Sequence, residues 1–219
     1  SKVRSINVTI TGSNYPGVYT LSAANSIYDA VQLAGGPSNK GSFRNIELIR
    51  NGKVINTLDL YEFMTSPNQK SNISLSNNDV IRIPTFINQI RVIGEVKRPG
   101  IFELKKDENL SDLIAYSSGF TNNAYTDEVK IVQKTNNQFR LEEVEKKMFH
   151  SYYPKDGDVI EVGKILNRYE NRVHIKGAVL RPGQFSLNYG MRVMDLINKA
   201  EGLSENANFY NCLLYTSDA

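Results

Sequence analysis

The sequence predicts an α+β fold laid out as tandem copies of one small unit, two complete and one truncated. Three observations carry that reading. Residues recur 83 positions apart: Pro16-Gly17, Pro99-Gly100 and Pro182-Gly183; Leu21, Leu104 and Leu187; Asp29, Asp112 and Asp195; Gly36, Gly119 and Gly202. Five triple identities in about 40 aligned positions compare with roughly 0.2 expected from average residue usage, so the chain is a repeat array. Each Pro-Gly step lies between two short β-prone runs, with an aromatic residue two places after the glycine (Tyr19, Phe102, Phe185). Behind each hairpin come apolar residues at i, i+3 and i+4, one face of a short helix.

The period divides the 219 residues into a first repeat over 1–86, a second over 87–168 and the front half of a third over 169–211. A unit of about 80 residues buries only about 60% of the surface its unfolded chain exposes, so neighbours gain by sharing burial. Residues 212–219, Cys212 to Ala219, read like a translated sequencing adapter and are set apart from the fold. The chain opens at Ser1-Lys2-Val3 and stops partway into a repeat, which reads as a piece of a longer protein.

Within the first repeat, Ile6, Val8 and Ile10 alternate with polar residues as a half-buried strand. Pro16-Gly17 predicts a turn with proline near φ −65° and glycine at positive φ, then a return strand through Val18, Tyr19 and Leu21. Ile27, Ala30, Val31 and Ala34 share a helix face that ends at Gly35-Gly36-Pro37. Asn51-Gly52 marks a type I′ hairpin between Ile46–Arg50 and Val54–Leu58. A helical turn near Leu60–Met64, the polar loop Ser66–Ser71 and the strand Asp79–Pro84 complete the unit.

The second repeat follows the same order. Its helix carries Leu110, Leu113, Ile114 and Ser117, its second hairpin turns at Thr135-Asn136-Asn137, and Asp158–Val162 closes it. The pairs Glu142–Lys146 and Glu143–Lys147 predict a solvated helix face. The third repeat has the hairpin Val173–Leu187 and the helix positions Val193, Leu196, Ile197 and Ala200. As a half-unit, residues 172–211 are expected to be the least ordered part of the chain.

The net charge of +3 comes from 26 basic and 23 acidic residues without a basic run, so nucleic acid is not an expected partner. One cysteine rules out an intrachain disulfide and a cysteine-based metal site. His150 and His174 have neither an acid–base partner nor metal-ligand spacing, and His174 should point off the apolar face. No phosphate loop or nucleophile elbow is present. The reading is non-catalytic, with no catalytic residue, metal or cofactor. Asp29, Asp112 and Asp195 suit the first turn of a helix, where a negative charge is favourable by roughly 0.3–1 kcal/mol. Arg98 and Arg181, at matching hairpin tips, are the candidate ligand-contact residues, with Tyr15 at that place in the first repeat. Pro16, Gly17, Pro99, Gly100, Pro182 and Gly183 are expected to be structural turn residues.

The stretch Val92-Ile93-Gly94-Glu95-Val96-Lys97-Arg98-Pro99-Gly100-Ile101-Phe102, and its copy from Ile175 to Phe185, resemble the soluble ligand-binding β-grasp (SLBB) repeat. Both are followed by the family's Asp-Leu-Ile helix. The resemblance implies tandem β-grasp domains, each a hairpin gripping one helix with further strands completing a mixed sheet. The first unit is one residue shorter between Gly12 and Pro16, with no counterpart of Val96 or Val179, and its outer strand is expected to pack differently. Tandem repeats of this kind look most like the outer-membrane polysaccharide export (Wza-like) family. That resemblance implies a periplasmic location beside the outer membrane and a ring-type homo-oligomer. It also implies polysaccharide as partner and contact with inner-membrane export machinery. The alternatives are a stand-alone carbohydrate- or protein-binding β-grasp adaptor, and a substrate- or cofactor-docking module of a larger enzyme.

Overall fold

Alternation in Ser5–Thr11 buries Ile6, Val8 and Ile10 and leaves Ser5, Asn7 and Thr11 exposed, so one face of strand β1 meets a core. The computed structural model describes residues 4–65 and 70–208, with Met64 and Thr65 described through their backbone alone. The supposed adapter tail, Cys212 and part of the Ser66–Ser71 loop therefore lie outside the described residues. The chain divides into two compact units, Ser1–Ile165 and Leu166–Ala219.

In the first repeat, β1 pairs with β2 (Gly17–Ser22), and helix α1 (Ile27–Leu33) follows. Strands β3 (Ile46–Arg50) and β4 (Lys53–Leu58), helix α2 (Leu60–Thr65) and β5 (Asp79–Arg82) complete it. The sheet order is β2-β1-β5-β3-β4, with β5 parallel to β1 and antiparallel to β3. Ile27, Ala30 and Val31 on α1, with Ala34 at its C-terminal cap, pack with Ile10, Leu48 and Ile81 in a closed core. Asn51 and Gly52 have φ of 50° and 74°, the type I′ turn their sequence predicts.

The second repeat copies this arrangement. Its elements are β6 (Gln89–Gly94), β7 (Gly100–Glu103), α3 (Leu110–Tyr116), β8 (Glu128–Lys134), β9 (Phe139–Glu145), a 3₁₀ turn (Lys146–Ser151) and β10 (Val159–Val162). The order β7-β6-β10-β8-β9 matches the first sheet strand for strand. A separate core gathers Ile90, Val92, Leu110, Leu113, Ile131 and Ile160. Each repeat is a β-grasp domain, and the array is tandem. One expectation fails here: Glu142 and Glu143 lie on strand β9, where seven residues pair with β8, so no helical i,i+4 pairs form. The ion pair made is Glu145–Lys147, at 2.5 Å between two exposed side chains.

In the second unit, β11 (Arg172–Ile175) pairs with β12 (Gly183–Ser186), followed by α4 (Val193–Lys199). His174 is exposed between half-buried Val173 and Ile175, as its place in the alternation predicts. Val193 takes the place of Ile27 and Leu110, which are both fully buried, yet it is 47% exposed.

The hairpins correct the expected turn. Gly17 and Gly100 do not have positive φ; among the three Pro-Gly glycines Gly183 alone does, at +156°. Gly17 and Gly100 open the return strands, paired with Ile10 and Val92, and ladder pairing requires extended backbone. The left-handed positions are instead Gly12, Gly94 and Gly177, at φ 77°, 86° and 102°, where the first strand leaves the sheet. A Cβ on Gly12 would lie 2.0 Å from the Ile83 carbonyl oxygen, and one on Gly94 2.1 Å from that of Val162.

The first hairpin also keeps its register. Val8 faces Tyr19 as Ile90 faces Phe102 and Val173 faces Phe185. The missing residue is taken out of the loop, so the outer strand does not shift. Ser13 is the counterpart of Val96 and Val179 after all. Ser13 bridges Pro37, Val96 bridges Phe120 and Val179 bridges Leu203.

Candidate functional site

Each hairpin loop lies against the end of its helix. The amides of Lys97 and Arg98 donate to the carbonyls of Gly119 and Ser117, both at 3.0 Å or less. Asn14 and Tyr15 do the same for α1, and Leu180 and Arg181 for α4. This fixes the loop backbone through the helix carbonyls that a helix end leaves unpaired. The Arg98 side chain is exposed at that tip. Arg181 is exposed too, but its Nε donates to Glu201 at 2.8 Å. The two candidate arginines share a backbone position and differ in surroundings.

At the other end of each helix, the repeated aspartates act on the backbone. Asp29 accepts from the Ser26 amide at 2.8 Å, Asp112 from that of Asn109 at 2.9 Å and Asp195 from that of Arg192 at 2.8 Å. Ser26 and Asn109 return the bond to the third helical amide, closing a capping box. These carboxylates are committed to helix starts.

Two arrangements were not anticipated from sequence. The first joins the two repeats of the first unit around Arg44, a buried residue. Its Nε donates to both Asp59 oxygens at 2.8 and 2.9 Å, while Nη1 and Nη2 grip Glu108 at 3.0 and 2.7 Å. Nη1 also donates to the Glu103 carbonyl at 3.1 Å. The guanidinium lies 4.5 Å from the Tyr61 ring centroid and 5.2 Å from that of Tyr116. From the second repeat, the Glu103 carboxylate accepts from the Ser42 hydroxyl and the Phe43 amide, each at 2.7 Å. Lys105 reaches Asp59 at 2.7 Å.

Burial alone would lower the Arg44 pKa, but bonding to Glu108 and Asp59 outweighs it and raises the pKa. Burial likewise pushes Asp59 and Glu108 upward, and their partners more than reverse it. Lys105 and Arg44 hold Asp59 below the usual carboxylate range, and Arg44 and Tyr116 do so for Glu108. Tyr116 is pushed up to about 12 by burial and by its bond to Glu108. Arg44, Lys105, Asp59 and Glu108 are paired with opposite charges, and the Glu103 carboxylate is held by hydrogen bonds from Ser42 and Phe43. These are the conditions under which buried ions are tolerated.

The second arrangement is an open pocket of about 400 Å³ on the face of the second sheet opposite its helix. Ile90 and Val92 point into the core, so Arg91 between them points out. Arg91 pairs with Ile101 on one side and Val159 on the other, which aligns the three side chains in a row. Phe86, whose amide is tied to the Lys40 carbonyl at 3.1 Å, and Asp156 line the rest. Asp156 Oδ1 accepts from the Gln89 amide at 2.8 Å. Buried Asp158, below them, accepts from Gln133 Nε2 at 3.1 Å and the Lys155 amide at 2.9 Å.

A family model described as SLBB domain matches residues 7–57 and 89–142, and a second model with the same description matches residues 171–217. The chain is an SLBB repeat protein. SLBB domains are ligand-binding domains. No curated protein matches this SLBB chain. Among its described residues no group of His, Cys, Asp and Glu could hold a metal ion, and no helix is long and apolar enough to cross a membrane.

The signal for the pocket lies in comparing the SLBB repeats position by position. Thr9 stands where Arg91 does, since each pairs with the first apolar residue of its closing strand. Asn77 stands where Asp156 does, its Oδ1 accepting from the Asn7 amide at 2.8 Å. Differences at equivalent places, rather than identities, mark these residues.

Proposed function

We propose that this SLBB protein is the non-catalytic, periplasmic repeat region of a capsule or exopolysaccharide export protein, acting through oligomeric assembly and glycan passage. The observation that carries the reading is the tandem arrangement itself, with successive ligand-binding β-grasp domains joined through Arg44. A rigid pair of repeats suits a wall built by stacking domains, because each domain then holds its neighbour's orientation without an external scaffold. On this reading the partners are polysaccharide, further copies of the chain in a ring, and the inner-membrane export machinery. Exposed Arg98 and Arg181 at the hairpin tips are proposed as contacts to glycan or to a neighbouring copy.

The test uses the full reading frame that contains this chain. Particle imaging of the purified product should show closed rings, and deletion of the gene should reduce surface polysaccharide while synthesis of the repeat unit continues. A monodisperse monomer together with normal surface polysaccharide would overturn the proposal.

A further inference from the structure

We infer that the pocket around Arg91 on the second repeat binds an acidic sugar residue, a hexuronate-type unit within a glycan. The inference rests on the glycan reading above and names the class of sugar and the residues that select it.

The first repeat supplies an internal control for what the fold itself needs. It builds the same strand pairing and the same turn with Thr9 and Asn77 where the second repeat has Arg91 and Asp156. Neutral side chains suffice there, so a cation and a carboxylate at these places are not required by the β-grasp. Nor are the two charges used on each other. Among the described residues neither Arg91 nor Asp156 takes part in an ion pair, and Asp156 Oδ2 has no hydrogen-bond partner. They line one pocket and face solvent.

The chemistry of the lining selects the ligand. A guanidinium presents two parallel N–H donors that match a carboxylate, which favours an acidic substituent over a neutral one. Asp156 Oδ2 is an acceptor suited to a sugar hydroxyl. Ile101, Val159 and the half-buried Phe86 offer an apolar surface for the C–H face of a pyranose ring. A peptide is disfavoured because the pocket centres on β6 and β10, both interior in the order β7-β6-β10-β8-β9. Their backbone groups are already paired, so no strand edge is free there to take an extended chain.

The test is calorimetric titration of the whole chain with tetragalacturonate and, separately, with neutral galactotetraose, joined to mapping of perturbed backbone amides. The variants Arg91→Thr and Asp156→Asn install the first repeat's own residues, so the fold is expected to persist. Arg140→Thr removes the same charge at an exposed position outside the pocket. The expected result is binding of tetragalacturonate at least tenfold tighter than the neutral sugar, with shifts confined to residues 86–91, 101 and 156–159. Arg91→Thr should lose at least tenfold, Asp156→Asn severalfold, and Arg140→Thr less than twofold. Unchanged affinity in Arg91→Thr, or a larger loss in Arg140→Thr, would overturn the assignment while leaving a glycan-binding role in place. Preference for an extended acidic peptide over tetragalacturonate would overturn the choice of ligand. No binding of either sugar by the unaltered chain would overturn both this inference and the glycan reading.

Discussion

Gly94 sits at the left-handed φ of 86° with the Val162 carbonyl oxygen 2.1 Å from where a Cβ would be. Alanine there meets both a backbone penalty and a collision with backbone that cannot swing aside. Gly94→Ala should therefore cost about 3 kcal/mol, beyond the ordinary glycine-to-alanine effect. At Gly100 a Cβ would meet only a Phe102 ring carbon at 3.9 Å. Gly100→Ala should change stability by less than about 1 kcal/mol, and urea unfolding of the two variants separates the positions. A second contrast concerns the buried aspartate before each closing strand. Asp79 is held by Arg50 through two bonds of 2.8 Å, whereas Asp158 has neutral Gln133 at the matching place. Gln133→Arg should stabilise the second repeat by about 1 kcal/mol, read as a raised urea midpoint. The gain should vanish in an Asp158→Asn background. Local chemistry of this kind was partly legible in the sequence. Asp29, Asp112 and Asp195 sit where the first turn of a helix favours a carboxylate. Arg44 and Arg91 left no local signal, because their roles depend on which strands are neighbours.

At the scale of elements, alternation and helical spacing identified the strands and helices well because burial on one face imposes both. Ile6, Val8 and Ile10, and Ile27, Ala30 and Val31, are all buried as their spacing requires. Turn chemistry was legible at Asn51-Gly52 and misleading at Pro16-Gly17 and Pro99-Gly100. A Pro-Gly step fits a tight turn, but here the loop is longer and the glycine already belongs to the returning strand. Helix α4 carries the same apolar spacing as α1 and α3 yet has no buried residue, with Val193 and Met194 at 47% and 64% exposure. Low burial means low opening free energy. Hydrogen exchange should show amides of 172–199 exchanging faster than those of β6, β8 and β10 at neutral pH. Equal protection in the two regions would contradict the link between burial and stability drawn here.

For the molecule as a whole, the decisive feature is the Arg44 joint. Arg44→Met leaves Glu108 and much of Asp59 without their cation and should cost about 3–5 kcal/mol, measured by chemical unfolding at pH 7. The folded pKa values of Asp59 and Glu108 lie below their ordinary values, so their contribution is complete above about pH 4–5 and fades as pH falls through the depressed folded values. Wild type should lose stability on acidification through that window, and Arg44→Met should lose markedly less. The sequence indicated the array but not the joint. A period reports what repeats share, while Arg44, Asp59, Glu103 and Glu108 connect different positions in two neighbouring copies.

The order β2-β1-β5-β3-β4 places the last strand of a repeat between its first and third strands. A ribosome delivers β1 to β4 before the piece that must slot between them exists. Each sheet can close only when some eighty residues have emerged, so the nascent chain holds two hairpins apart for seconds at ordinary rates of synthesis. Repeats of this kind mature in sequence, each waiting on its final strand.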